Sequence, residues 1–171
     1  MRRLPAFALI VLLLPDASFS MERVYQTQDE LIAEVFGSAP APKVLWLTHA
    51  VEEQVTNILG HPPRQLRQRY WSDGAKTLWI LEEIGKEEPI TAAFVVQDGK
   101  IGMARVLVYR ESRGGEVRFP AFLNQFKGAA LNEKNYLGRD IDGISGATLS
   151  VQAMQRMART ALYFDRVSRS Q

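Results

Sequence analysis

Ile90-Thr91-Ala92-Ala93-Phe94-Val95-Val96-Gln97-Asp98-Gly99-Lys100-Ile101-Gly102-Met103-Ala104-Arg105-Val106-Leu107-Val108-Tyr109-Arg110 is the stretch that decides the fold. Two runs rich in β-branched and aromatic residues flank Asp98-Gly99, a pair suited to the two left-handed positions of a tight hairpin turn. The second run alternates. Met103, Arg105, Leu107 and Tyr109 are expected on one face, and Ala104, Val106 and Val108 on the other. Upstream, Thr77 to Ile84 reads as a further strand closed by Gly85. Antiparallel strands followed by helices predict an α+β domain, a curved antiparallel sheet packed with helices. A ligand site is expected at the loop preceding the C-terminal helix.

That loop is Asp142-Gly143-Ile144-Ser145-Gly146-Ala147-Thr148-Leu149-Ser150. Two glycines and an alanine allow close backbone approach to a ligand. Directly after it Val151, Met154, Met157, Ala158, Ala161 and Leu162 recur at helical spacing on one face. A small-residue turn feeding a helix start presents unpaired N–H groups and a positive dipole end, which suits phosphate. Read as structure alone, it is an N-capped turn with Thr148 or Ser150 as the cap.

Asp142 through Thr148, as Asp-x-x-Ser-Gly-Ala-Thr, closely resembles the attachment motif of the FMN-binding domain family. The resemblance covers roughly residues 75–165. It implies that FMN is joined through its phosphate to the Thr148 hydroxyl by a separate flavin transferase that uses FAD and Mg²⁺ and releases AMP. Asp142 would orient the loop or help hold the metal during transfer, and no resident metal site is expected. Gly143, Gly146 and Ala147 would keep the loop slim. Ile144, Ser145, Leu149 and Ser150 complete the expected cofactor contacts.

A second segment carries the likeness. Glu111-Ser112-Arg113-Gly114-Gly115-Glu116 closes the long strand, and Phe119, Phe122 and Phe126 follow at helical spacing before Gly128. The three phenylalanines fit either core packing or a ligand-facing wall. The family more often has Glu-Thr-Pro-Gly-Leu-Gly where this chain has Glu111 to Glu116. The resemblance makes Glu111 and Phe122 candidate neighbours of the flavin ring. In this domain the chain is similar to the flavin-bearing subunits of the Rnf and sodium-pumping NADH:quinone reductase complexes.

The ends and composition set the setting. Residues 1–20 read as a secretory signal: Arg2 and Arg3, an apolar run from Leu4 to Leu14, then Ser18-Phe19-Ser20 before a cut that leaves Met21 first. The run falls short of the roughly 20 residues a spanning helix needs. Residues 21–70 are expected to be a helical segment, and 71–168 the FMN-binding domain. Within the former, Asp29 is expected to cap a helix through Phe36, and Val44 to Leu59 to form an amphipathic helix ending at Gly60. His49 and His61 lack metal-ligand spacing and have no acidic or histidine partner nearby in sequence, so both read as incidental. The formal charge is +2, and removing residues 1–20 takes away two arginines and one aspartate to leave +1. With no basic stripe carrying interleaved aromatics, there is no case for nucleic acid. The absence of cysteine excludes disulfides and thiolate metal sites.

These readings combine into an exported carrier of electrons, periplasmic or at the outer face of the membrane, with redox partners in or at that membrane. A covalent bond keeps a cofactor in place where little of it is free in solution. Three other classes stand beside this one. They are an enzyme binding FMN without a covalent bond, a hydrolase using Ser145, and a cofactor-free binding module. The second is weak, since Gly143-Ile144-Ser145-Gly146 falls one residue short of a nucleophile elbow and both histidines precede it.

Overall fold

The computed structural model describes residues 22–170; the expected signal over residues 1–20 lies outside them. Six antiparallel strands form one open sheet in the order β1-β6-β5-β4-β3-β2. The strands are β1 (Arg23–Val24), β2 (Lys43–Trp46), β3 (Arg67–Ser72), β4 (Lys76–Ile84), β5 (Pro89–Gln97) and β6 (Lys100–Tyr109). The helices are α1 (Gln28–Phe36), α2 (His49–Leu59), the single turn α3 (Pro120–Leu123) and the long C-terminal α4 (Thr148–Ser168). The expected α+β class is the one observed. Among the described residues no helix is long and apolar enough to cross a membrane.

The hairpin forms as its turn residues dictate. Asp98 and Gly99 both take positive φ, 51° and 69°, so the turn twists with the strands it joins. β6, however, carries an extra residue in two places. Val106 faces Ala92 and Val108 faces Thr91, which leaves Leu107 without an opposite number; Gly102 is skipped in the same way between Ile101 and Met103. Each bulge reverses the alternation beyond it. Tyr109 therefore leaves the face of Met103 and Leu107 and joins Ala104 and Val106 in the main core. This corrects the simple alternation expected for β6, and it delivers Tyr109 to the functional end of the molecule.

The sheet's two faces are covered unequally. One receives α4 and α2 in a core built on Trp79, Phe94, Tyr109, Phe126, Met154 and Met157. The other is covered by α1, whose Leu31 and Ile32 pack on Trp71, Leu78, Ala93 and Leu107. α4 lies along β4, running against it, and is tied to it by hydrogen bonds from Arg156 to Ile84 O and from Thr77 to Asp165.

The N-terminal segment departs from the all-helical expectation. Val44 to Leu47 does not begin the second helix; Lys43–Trp46 is an edge strand and the helix starts at His49. Its β-branched and aromatic residues pair with Arg67–Tyr70, a contact too distant in sequence for periodicity to reveal. The cap of α1 is also two residues earlier than Asp29. Thr27 accepts from Glu30 N while Glu30 Oε2 accepts from Thr27 N, a reciprocal capping box.

Candidate functional site

Helix α4 begins at Thr148, with Ala147 as its N-cap and no side-chain cap bond. Neither Thr148 nor Ser150 takes the capping role expected of them. Thr148 is already helical, and Ser150 lies in the first turn with its side chain turned inward. Gly146, at φ 77°, turns the chain into the helix, a conformation that penalises any side chain. Only at Val151 does an N–H find its acceptor, the Ala147 carbonyl at 3.0 Å. The N–H groups of Thr148, Leu149 and Ser150 have no acceptor among the described residues. No acidic side chain occupies the first turn. The helix start thus keeps its unpaired donors and positive dipole end, and Thr148 stands exposed upon it.

Beneath that turn everything is fixed. Ser150 is 4% exposed, and its Oγ lies 3.2 Å from the Tyr109 hydroxyl. Tyr109 donates in turn to the Arg113 carbonyl, which holds the loop after β6 against the start of α4. Burial, the larger influence, raises the pKa of Tyr109 above its ordinary value, so the phenol keeps its proton and its donor role. Gly114, at φ 80°, sits where a Cβ would come within 2.9 Å of the Tyr109 hydroxyl and 3.0 Å of Ala147 Cβ. Gly85 is as tightly placed, its imagined Cβ 2.8 Å from Glu111 Oε1 and 3.4 Å from Ser150 Oγ. Two glycine turns and one helix start converge on a single buried serine.

Glu111, expected beside the flavin ring, is committed elsewhere. Its buried Oε1 accepts from the backbone N–H groups of Lys86, Glu87 (2.7 Å) and Glu88 (3.1 Å), fastening the turn between β4 and β5. Phe122 is 4% exposed and packs edge-on against Phe126, centroids 5.5 Å apart, deep in the main core. Phe119, by contrast, is 43% exposed under the Arg118 guanidinium. The three phenylalanines divide between core and surface because Pro120–Leu123 is a single helical turn flanked by tighter 3₁₀ turns at Gly115–Arg118 and Asn124–Phe126.

The rest of the predicted loop spans this same end. Asp142 N donates to Gln125 Oε1 at 2.7 Å, tying the loop to the segment after α3. The Asp142, Gly143, Ser145 and Gly146 positions are exposed, and no protein group bonds the Asp142 carboxylate among the described residues. Ile144 is half-buried against the main core, whereas Leu149 is 46% exposed. Tyr109, Gly85, Gly114 and Gln125 are structural partners that sequence spacing did not single out.

His61, incidental as a metal or catalytic candidate, has structural partners. Its Nε2 lies 3.0 and 3.2 Å from the two oxygens of Glu83, and its Nδ1 lies 2.9 Å from Pro62 O. Arg156 Nη2 donates to the same Glu83 at 3.0 Å. This partner stands 22 residues away, on β4, beyond what proximity in sequence reveals.

Two comparisons bear on this geometry. The fold is similar to that in the crystal structure of Shewanella oneidensis NqrC, with a TM-score of 0.56 and 15% sequence identity over 84% of this chain and 90% of that one. No curated protein matches the sequence. The model of the FMN-binding domain family matches from Gly85, at the turn fastened by Glu111, to Tyr163, near the end of α4. Residues 85–163 of this chain belong to the FMN-binding domain family.

Proposed function

We propose that the protein is an exported electron-transfer flavoprotein that carries FMN as a phosphoester of Thr148. The observation that carries this reading is the start of α4. An exposed hydroxyl stands on an uncapped helical turn, beside three N–H groups that have no protein acceptor. Those residues fit a phosphodiester better than they fit a structural cap. The site offers donors, a favourable dipole and no competing carboxylate.

In attachment, Thr148 Oγ1 attacks the flavin-side phosphorus of FAD; a new P–O bond forms, the bond to AMP breaks, and AMP leaves. The hydroxyl proton goes to a base on the transferase, because no titratable side chain among the described residues hydrogen-bonds Thr148. The unbonded Asp142 carboxylate is available to the transferase's Mg²⁺. Once bound, FMN supplies one- and two-electron chemistry. Ile144 and Leu149 offer apolar surface to the ring from either side of Thr148. Glu111 and Phe122 act through the turn and core they hold. Redox partners in or at a membrane accord with the likeness to NqrC and with the reading of residues 1–20.

Intact-mass measurement on protein from its native envelope tests this. The expected mass exceeds that of the polypeptide by one FMN less one water, and in-gel flavin fluorescence survives denaturation. Thr148→Val keeps the shape and removes the oxygen, so it is expected to lose the adduct entirely while Ser145→Ala and Ser150→Ala retain it. Fluorescence persisting in folded Thr148→Val protein would overturn the assignment, and flavin released wholly on denaturation would favour the non-covalent enzyme.

A further inference from the structure

β3 and β4 pair only through Tyr70–Trp79, Trp71–Leu78 and Ser72–Thr77. Beyond Tyr70 the strands part, because β3 turns away to pair with β2 through Arg67. Gln68 Nε2 substitutes for a strand partner by donating to Ile80 O at 3.1 Å. Glu82, two residues further along β4, pairs with Thr91 of β5 on one side but has no partner from β3 on the other. The gap opens into a cavity of about 480 Å³ whose lining includes no residue of the Thr148 loop. That volume lies within the roughly 300–1,000 Å³ of small-molecule sites.

The cavity has two chemically distinct ends. Val44 and Arg69 are directly opposite in the β2–β3 ladder, as are Trp46 and Arg67, so all four share one face. The neighbouring Leu45 and Tyr70 point the other way into the main core. On that inner side the cavity is walled by Leu59, Leu81, Met157 and Phe164. Its lining contains two carboxylates, and both are committed: Glu82 to Arg64 at 3.0 Å, Glu83 to His61 and Arg156. Arg67 and Arg69 also line it, and neither guanidinium has a hydrogen-bond or ion-pair partner among the described residues. An apolar floor under a mouth with two uncommitted guanidinium groups selects for one kind of guest.

We infer that the slot between β3 and β4 binds an amphipathic organic carboxylate, its head on Arg67 and Arg69 and its alkyl or aryl body among Leu59, Met157 and Phe164. The site is separate from the flavin loop and does not depend on flavin attachment.

Calorimetric titration of the full chain with sodium octanoate, sodium 2-naphthoate and octanol tests the assignment. One-to-one binding of at least one carboxylate is expected, with octanol weaker than octanoate. Losing a charge-assisted hydrogen bond is worth about tenfold or more in affinity, so the Arg67→Gln/Arg69→Gln double variant should bind octanoate roughly tenfold more weakly and octanol unchanged. Leu59→Trp, which fills the apolar end, should abolish binding of all three. The octanoate and naphthoate arms decide between an alkyl and an aryl body. Absence of binding by both carboxylates up to millimolar concentration would overturn the inference, as would equal octanoate affinity in the wild type and the arginine variant. If Leu59→Trp does not fold, the exposed arginine pair still decides the matter, its fold checked by circular dichroism.

Discussion

The two ends of α4 are built on opposite plans. At its C-terminal end, Asp165 is 1% exposed, accepts from Thr77 Oγ1 at 2.6 Å, and receives Arg169 Nε at 3.0 Å on each oxygen. Thr77 is in turn the acceptor for Trp79 Nε1 at 2.8 Å, and the Trp79 indole is stacked on Tyr70 and tilted against Phe164. Every polar group there has a partner. At the N-terminal end the outward groups have none, although Ser150 below them is fully engaged. One helix thus carries an anchor at its end and an open turn at its start. The proposed attachment at Thr148 needs a residue that an enzyme can reach yet that is held in a defined place, and firm anchoring of the rest of α4 allows both.

Breaking the anchor gives the largest expected effect. Asp165→Ala strands the Thr77 hydroxyl in the core and leaves Arg169 only the Gly74 and Ala75 carbonyls, and such losses cost about 2–4 kcal/mol. The midpoint of urea unfolding should fall accordingly. Flavin attachment at Thr148, nearly five helical turns away, should persist in the folded fraction. Loss of the adduct from folded Asp165→Ala protein would show that the two ends are coupled.

Disturbing the floor of the open end should cost less stability and more labelling. Gly114→Ala places a methyl 2.9 Å from the Tyr109 hydroxyl at a φ of 80°. A cost of about 1–3 kcal/mol is expected for such a strained position. Because the added Cβ also meets Ala147, the start of α4 should shift and flavin transfer should slow. Unchanged transfer kinetics, measured by the rise of in-gel fluorescence, would break the link drawn between the loop after β6 and the Thr148 turn.

Glu111→Gln is a milder change to the same floor. The amide oxygen can still accept from the turn at Lys86–Glu88, but charge-assisted bonds are roughly twice as strong as neutral ones. A loss of about 1–2 kcal/mol is expected, with the adduct retained and the flavin absorption bands little moved. A large spectral shift would place the Glu111 carboxylate against the ring after all, as the family resemblance implies.

Legibility followed sequence distance. The Asp98-Gly99 hairpin, strands β4 to β6 and the apolar face of α4 are local patterns, and they were readable. So was the run from Asp142 to Thr148, a contiguous motif. Strand β2 was read as helix because Val44 and Leu47 also fit a helical stripe, and its pairing with Arg67–Tyr70 is non-local. The face of Tyr109 was misread because a bulge at Leu107 adds one residue to a pattern of period two. Glu111 is a turn anchor for the same kind of reason. Its partners are three backbone N–H groups more than 20 residues upstream, and backbone groups leave no mark on sequence.

Midway between the two ends of α4, Arg156 shares Glu83 with His61, and this joint makes the smallest and most conditional contribution. His61 Nδ1 faces a carbonyl that can only accept, and Nε2 faces a carboxylate. Both nitrogens can donate only if the ring is protonated. The hydrogen bond with Glu83 is the chief cause that raises the His61 pKa above its ordinary 6.5, aided by Pro62 and opposed by burial and Arg156. A raised value in the folded state means that protonation stabilises the fold. That stabilisation is complete below the ordinary value and fades as pH climbs through the folded one. It is small, because the His61 side chain is 45% exposed and water screens the pair. Glu83 keeps Arg156 when His61 loses its proton, so no carboxylate is stranded. The urea midpoint of wild-type protein should therefore exceed that of His61→Gln at pH 6, and the difference should shrink by pH 8.5. Glu83→Gln should erase the pH dependence of that difference, since it removes the charge that holds the proton on His61. A gap between wild type and His61→Gln that stays constant from pH 6 to 8.5 would mean that His61 only packs there, leaving Arg156 as the sole charged tie between the middle of α4 and the end of β4.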